Sequence, residues 1–87
     1  MAVTHRLVLD VLKPHQPNIV ELACTLGDQC ECTANITVVE MDDQTETLRV
    51  VLEGANLNFA RIEATIRDFG GSLHSVDEVT ACGDIEP

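Results

Sequence analysis

The sequence predicts an α+β fold in which one antiparallel sheet carries two helices. Apolar residues alternate along four segments, which is typical of half-buried strands, and two other segments place them at helical spacing. The resulting order is strand, helix, strand, strand, helix, strand. Right-handed crossovers then favour a ferredoxin-like βαββαβ sandwich, with strand order 4-1-3-2 and both helices on one face. We expect a single domain over residues 1–87, with a core of about 3–81 and a polar tail at 82–87.

The first strand is predicted at residues 3–12, where the odd-numbered positions from 7 onward are apolar. The segment 13–17 contains two prolines and is expected to break the strand. A helix is predicted at about 17–26, with Gly27 as its natural end. Its apolar stripe consists of Ile19, Leu22, Ala23 and Leu26.

A hairpin is predicted after a loop at 28–32. Its strands cover 33–42 and 46–53, and the short polar turn at 42–45 joins them. The apolar positions of these two strands alternate in step, so they are expected to share the face under the helices. These positions are Ala34, Ile36, Val38, Leu48, Val50 and Leu52.

The second helix is predicted at about 58–69, because Asn58 is a favourable N-cap and Leu57 precedes it as in a hydrophobic staple. The residues expected to be buried on this helix are Phe59, Ile62, Ile66 and Phe69. The last strand is predicted at 72–81. Its apolar residues recur every third position instead of every second, which predicts a β-bulge near Ser75.

The charge balance excludes several kinds of partner. Fifteen acidic residues face five basic ones, for a formal net charge of -10. Such a chain repels phosphate backbones and anionic membranes, so we expect neither a nucleic-acid nor a membrane partner. With no apolar run of about 18 residues and no signal-peptide pattern, we expect a cytoplasmic protein. An acidic surface with one lysine suits a salt-rich cytoplasm.

A carboxylate-rich cluster is the first candidate site, because the predicted topology brings several acids to one end of the sheet. The candidate metal ligands are Asp10, His74, Asp77, Asp42, Asp43 and Glu46. Carboxylates suit calcium or magnesium first, and the histidine would suit zinc second. Solvated acids and ordinary ion pairs are the alternative. Asp10 argues against simple solvation, since it interrupts a central strand and needs a partner such as Arg6, Arg49, His74 or a cation.

Two further surfaces are candidates for function. Cys30 and Cys32 form an alternative thiol metal site, although their spacing is not that of a zinc ribbon or finger and favours free reduced thiols. The sheet face away from the helices shows an apolar strip that an isolated subunit would leave in water, which indicates an oligomer interface. This strip consists of Val8, Thr37, Val39, Met41 and Val51. Scattered surface aliphatics are the alternative explanation, but the clustering of these residues on adjacent strands favours an interface.

Three segments, 7–15, 35–40 and 70–79, resemble successive motifs of an uncharacterised archaeal family, domain of unknown function 211. The resemblance covers nearly the whole chain. It implies a ferredoxin-like subunit that assembles into closed rings, with bound divalent cations and without an established enzymatic activity. The chain departs from the family pattern at Cys24, Cys30 and Cys32, so the resemblance implies nothing about a thiol function.

These observations predict a non-enzymatic homo-oligomer, a ring by the resemblance, that binds divalent cations and no organic cofactor. No phosphate loop, nucleophile elbow or dinucleotide-binding glycine motif supports catalysis. A small-ligand sensor with its ligand at a subunit interface is one alternative function. A metal carrier that uses Cys30 and Cys32 is another.

Overall fold

The computed structural model describes residues 2–83. Its elements are, in chain order, β1 (Val3–Pro14), α1 (Ile19–Cys30), β2 (Thr33–Met41), β3 (Thr45–Glu53), α2 (Phe59–Asp68) and β4 (Ser72–Cys82). The four strands form one antiparallel sheet in the order β2-β3-β1-β4. The predicted α+β class, element order and strand order are therefore confirmed, and they match a ferredoxin-like fold. Among the described residues, no helix has the length and hydropathy needed to cross a bilayer.

The core forms where alternate residues of the two central strands pack with both helices. Its buried members are Leu7, Leu9, Val11, Leu22, Leu26, Cys30, Leu48, Val50, Leu52, Leu57, Ile62 and Ile66. The alternation of β1 and β3 follows the two-residue repeat of a strand, and the helical members follow the 3.6-residue repeat. The apolar pattern of the sequence therefore predicted most of this core.

Helix α1 begins and ends later than predicted. Asn18 caps its start, since the Asn18 Oδ1 accepts a hydrogen bond from the Glu21 backbone N–H at 3.0 Å. The helix continues through Gly27 to Cys30, whereas a stop at Gly27 and a loop over 28–32 were expected. A helical glycine costs about 1 kcal/mol relative to alanine. The burial of Cys30, one turn beyond Leu26, extends the apolar stripe and offsets that cost.

Strand β1 also runs further than predicted, through the first two residues of the proline-containing segment. Pro14 pairs with Thr45 of β3, while the pairing of β1 with β4 ends at Leu12. Proline is compatible with this position because the strand has a neighbour on only one side there. Only the remainder of the segment, from His15, forms the connection to α1.

Helix α2 begins as predicted, because the Asn58 Oδ1 accepts a hydrogen bond from the Arg61 backbone N–H at 3.1 Å. Ile62 and Ile66 are buried, as expected. Phe59 was predicted to be buried and is exposed instead, since it occupies the first position of the helix, beside a polar cleft. Thr65 is buried in the helix, where its hydroxyl donates to the Arg61 carbonyl at 2.9 Å.

The sheet contains register shifts that change which face a side chain occupies. Strand β4 pairs with β1 through shifts between Val8 and Leu9 and between Asp10 and Val11. These shifts confirm the predicted irregularity near Ser75 and leave His74 and Asp77 as the extra residues of β4.

Strand β2 shifts register against β3 between Val38 and Glu40. This shift places Met41 opposite Glu46, a residue of the buried face of β3. The prediction had assigned Met41 to the opposite face, because the sequence shows no sign of this bulge. The predicted hairpin is present, and the Asp42 N–H closes it on the Thr45 carbonyl at 2.8 Å.

Candidate functional site

Asp10 and His74 form a pair across strands β1 and β4. The His74 Nδ1 lies 3.0 Å from the Asp10 Oδ2. An ionised carboxylate only accepts hydrogen bonds, so Nδ1 is the donor and carries the proton. The other ring nitrogen, Nε2, is therefore free to accept a proton or bind a metal in the neutral imidazole. A carboxylate that orients a histidine in this way is the usual support of a metal-binding imidazole.

The pair is accessible from solvent. The side chain of His74 is 77% exposed and that of Asp10 is 30% exposed. A shallow cleft of about 210 Å³ adjoins the pair and is also lined by Leu12 and Thr47. The partner that a mid-strand aspartate was expected to need is thus His74, one of the three residues proposed from the sequence.

The bulges of β4 explain how His74 reaches Asp10. Direct cross-strand pairing joins Asp10 to Ser75, and His74 is the additional residue beside this pair. A bulge re-aims the side chain of its extra residue, which is why bulges recur near functional sites. Asp77 is the extra residue of the next bulge, and its Oδ1 accepts a hydrogen bond from the Ser75 hydroxyl at 2.7 Å.

The acids of the hairpin stand apart from this pair. The pairing of β1 with β3 sets Asp10 opposite Arg49 and Lys13 opposite Glu46, three residues further along. Three strand residues span about 10 Å. Within residues 2–83, no three His, Cys, Asp or Glu side chains form a group suited to one metal ion. The six ligands predicted from the sequence are therefore not brought together as one site in the described residues, and only Asp10 and His74 among them are in contact.

Glu46 belongs to a buried ion pair that the sequence reasoning missed. The Lys13 Nζ lies 2.9 Å from the Glu46 Oε1, and the two side chains are 0% and 7% exposed. The Lys13 ammonium also donates to the carbonyls of Pro14, at 2.7 Å, and of Pro17. Lys13, the only lysine of the chain, thus links the β1–α1 connection to β3 through the Pro17 carbonyl and the Glu46 carboxylate.

Strand parity was the signal that could have found this pair. Lys13 continues the odd-numbered buried positions of β1, and Glu46 continues the even-numbered buried positions of β3. Two opposite charges at buried positions of neighbouring strands indicate an ion pair on the core-facing side of the sheet. Pro14 and Pro17, which follow Lys13, made this pattern hard to recognise because they suggested that the strand had already ended.

His15 joins the same connection to the hairpin turn. Its Nε2 donates to the backbone carbonyls of Asp42 and Asp43, at 2.9 and 3.2 Å. Its Nδ1 lies 3.9 Å from the Glu46 Oε2. The main chain of Asp42 and Asp43 therefore has a structural role, while both side chains remain exposed at the turn.

Arg6 links three strands on the same side of β1 as Asp10. Its Nε donates to the Glu78 carboxylate at 2.6 Å, and its Nη1 donates to the Glu53 carboxylate at 2.9 Å. These hydrogen bonds, first to Glu78 and then to Glu53, raise the pKa of Arg6 above its ordinary value. The sheet face that was expected to be mostly apolar is thus partly covered by ion pairs.

The residues of the predicted interface strip differ in their exposure to solvent. Val8 is already buried within the subunit, Val51 is half-buried, and Thr37 is exposed. Val39 and Met41 are exposed at the end of the edge strand β2. The other edge strand, β4, exposes two further apolar side chains that the sequence prediction did not include. These are Val76 and Val79.

The thiols offer a less suitable metal site. All four cysteines are free, and Cys30 is buried. Burial, and then the nearby Cys30, raises the pKa of the Cys32 thiol. A raised pKa opposes formation of the thiolate that binds soft metals. The Cys32 thiol instead contacts the Leu26 carbonyl, at 3.5 Å.

Comparison with known proteins agrees with the sequence motifs. The family DUF211, described as "Uncharacterized ArCR", matches residues 5–85. The chain is also 47% identical over 77 residues to the "Uncharacterized protein MJ0319" of Methanocaldococcus jannaschii. That similarity covers 87% of this chain and 79% of the relative.

Proposed function

The chain belongs to the uncharacterised archaeal family DUF211, and we propose that it is a non-enzymatic homo-oligomer that binds a divalent cation at Asp10 and His74. The hydrogen bond between the Asp10 Oδ2 and the His74 Nδ1 carries the proposal. It leaves Nε2 exposed and unprotonated in the neutral imidazole, as a metal ligand must be. Water and groups from a neighbouring subunit complete the coordination, since a structural or catalytic site commonly needs at least three protein ligands.

The identity of the cation follows from the ligand that faces solvent. An imidazole nitrogen favours zinc and related transition metals over calcium or magnesium. Carboxylates of the hairpin, such as those of Asp42 and Asp43, would favour calcium. We therefore propose zinc at His74, in preference to the hard cation that the acid count first suggested.

The oligomer is supported by the two edges of the sheet. Strands β2 and β4 are the outer strands, and each has one side without a neighbour in the described chain. Unpaired edges of this length favour pairing with another chain. We propose that both helices cover one face of the sheet and that the β2 edge of one subunit meets the β4 edge of the next. A contact between two different surfaces is heterologous and forms a ring when it closes.

Titration calorimetry of the metal-free protein with zinc, calcium and magnesium tests the cation site. We expect zinc to bind, and we expect His74→Ala and Asp10→Asn each to weaken its binding about tenfold or more. The control is His5→Gln, because the His5 Nδ1 contacts the Gly54 carbonyl, at 3.1 Å, outside the site. Unchanged zinc affinity in His74→Ala would overturn the assignment, and loss of binding in Asp42→Asn would move it to the hairpin.

Native mass spectrometry and light scattering at low and high salt test the assembly. The substitution Val79→Lys introduces a charge at the β4 edge, where Val79 is 59% exposed, so it should dissociate the oligomer without unfolding the subunit. Lysine at Val20, which is 66% exposed on α1, is the matched control and should leave assembly intact. A wild-type monomer under every condition, with and without chelator, would contradict the proposed oligomer.

A further inference from the structure

A second cleft, of about 580 Å³, lies between the last turn of α1 and the first turn of α2. It shares no lining residue with the Asp10–His74 site. Its volume lies within the range of small-molecule sites, about 300–1,000 Å³. We propose that this cleft binds a small zwitterion of the α-amino acid class, with the carboxylate at Arg61 and the ammonium at Glu31.

Arg61 is the cationic wall of the cleft. Its Nη1 donates to the Gln29 carbonyl at 3.3 Å. Within residues 2–83, Arg61 forms no ion pair with a carboxylate, whereas Arg6 and Arg67 do. A guanidinium has five N–H donors, so four remain for a ligand. In a chain with a net charge of -10, an arginine without an acidic partner is a favourable place for an incoming carboxylate.

Glu31 provides the anionic wall. It caps α1 in the left-handed conformation, with φ 52° and ψ 55°, a position where glycine is favoured. Among the described residues, its carboxylate is in no ion pair and its side chain is exposed. Among the described residues, the same cleft thus presents a cation and an anion that form no ion pair. Such a pair of walls recognises a molecule that carries both charges.

The neighbouring groups are consistent with this orientation. Because the Asn58 Oδ1 accepts the Arg61 backbone N–H, its NH₂ group is left as a further donor beside the guanidinium. The exposed ring of Phe59 offers an apolar surface for the body of the ligand. The C-terminal end of α1 carries partial negative charge, which favours the ammonium beside Glu31. The N-terminal end of α2 carries partial positive charge, which favours the carboxylate beside Arg61.

Calorimetric titration of the intact protein with each of the twenty common L-amino acids tests the proposal. Each amino acid that binds is compared with its decarboxylated amine and with the acid that lacks its amino group. We expect the amino acid to bind at least about tenfold more tightly than either analogue, because each analogue leaves one wall unpaired. Amide shifts in the NMR spectrum should change at residues 29–31 and 56–61.

Two charge-neutral variants assign the walls. Arg61→Gln keeps the backbone N–H that caps α2, and it should weaken amino-acid binding about tenfold or more. Glu31→Gln should weaken amino-acid binding but leave binding of the deaminated acid unchanged. Arg67→Gln is the matched control on the same helix, since Arg67 lies 3.8 Å from Glu63 and outside the cleft.

Three results would overturn the inference. They are the absence of binding by any amino acid at millimolar concentration, wild-type affinity in Arg61→Gln, and equal affinity for an amino acid and its deaminated acid. None of these results bears on the cation site, because the two sites share no residue.

Discussion

Two side-chain pairs join β1 to its two neighbouring strands, and they differ in burial, in charge and in the number of unused donors or acceptors. Lys13 and Glu46 join β1 to β3 with almost no solvent exposure. Asp10 and His74 join β1 to β4, and the histidine is mostly exposed. In the first pair, the ammonium is surrounded by oxygen acceptors of its own chain. In the second pair, one imidazole nitrogen has no partner among the described residues.

The difference separates a structural pair from a candidate site. A buried charge is tolerated only when it is paired, and the three N–H donors of the Lys13 ammonium are already used by Glu46, Pro14 and Pro17. An exposed pair contributes little to stability and is free to exchange its partner for a ligand. Burial and the number of unused donors or acceptors, more than the charge itself, distinguish the two.

Removing one member of the buried pair should give the largest effect. Lys13→Met retains much of the side-chain volume but leaves the Glu46 carboxylate buried without a cation. We expect the free energy of unfolding to fall by about 3–5 kcal/mol, a large part of the stability of a small domain. Urea denaturation measures the change.

The double variant Lys13→Met/Glu46→Leu is the control for that experiment. It removes both charges, so it should recover part of the loss, although the carbonyls of Pro14 and Pro17 remain without their donor. A single variant within about 1 kcal/mol of wild type, or a double variant less stable than the single one, would contradict the comparison.

The His15 contact should have an intermediate effect. His15→Ala removes the hydrogen bonds to the carbonyls of Asp42 and Asp43, which lie at the exposed turn and can bind water instead. We expect a loss of about 1 kcal/mol. Thermal unfolding measures this loss, and faster amide hydrogen exchange at 42–45 would localise it. Unchanged exchange at the turn would show that His15 does not hold the hairpin.

The exposed pair should have the smallest effect on stability. His74→Ala is expected to change the free energy of unfolding by less than about 1 kcal/mol, because solvent screens the interaction. The same denaturation experiment measures it beside Lys13→Met. A loss as large as that of the buried pair would show that His74 is structural, and the proposed cation site would lose its physical basis.

Cys32 extends the comparison to a partly buried thiol that has no charged partner among the described residues. Because burial raises the pKa of its thiol, alkylation by iodoacetamide at pH 8 should be slower at Cys32 than at the exposed Cys24. The folded state favours the protonated Cys32 thiol. The contribution of this thiol to stability is therefore fully present below the unfolded-state pKa of about 8.5, and it is lost as the pH rises through the raised pKa of the folded state. Equal alkylation rates, read by mass spectrometry of the peptides, would contradict this.

Apolar periodicity predicted the elements and most of the core, because both depend on which residues avoid water. The handedness of crossover connections then predicted the strand order. The end of α1 was not predicted, since a glycine inside a helix resembles a glycine that ends one until the burial of Cys30 is known. The face of Met41 was also mispredicted, because a one-residue bulge in β2 reverses strand parity without a sequence signal.

The candidate site was predictable only in part, because strand order places residues on neighbouring strands but does not fix their positions along those strands. Asp10 was grouped with His74 and Asp77 because the predicted strand order set β4 beside β1, and the structure brings Asp10 and His74 into contact. The acids of the hairpin were grouped with them only by lying at the same end of the sheet. Distances of about 10 Å along a strand are enough to separate ligands, and topology alone does not resolve them.

The burial of Lys13 gives the protein an unusual chemical property. Lys13 is the only lysine of the chain, and its ammonium is inaccessible in the folded protein. Acylating reagents, amine-directed cross-linkers and acetyl donors therefore find no side-chain amine to attack until the fold opens. The rate at which Lys13 becomes acylated should consequently report global unfolding directly, with no engineered probe.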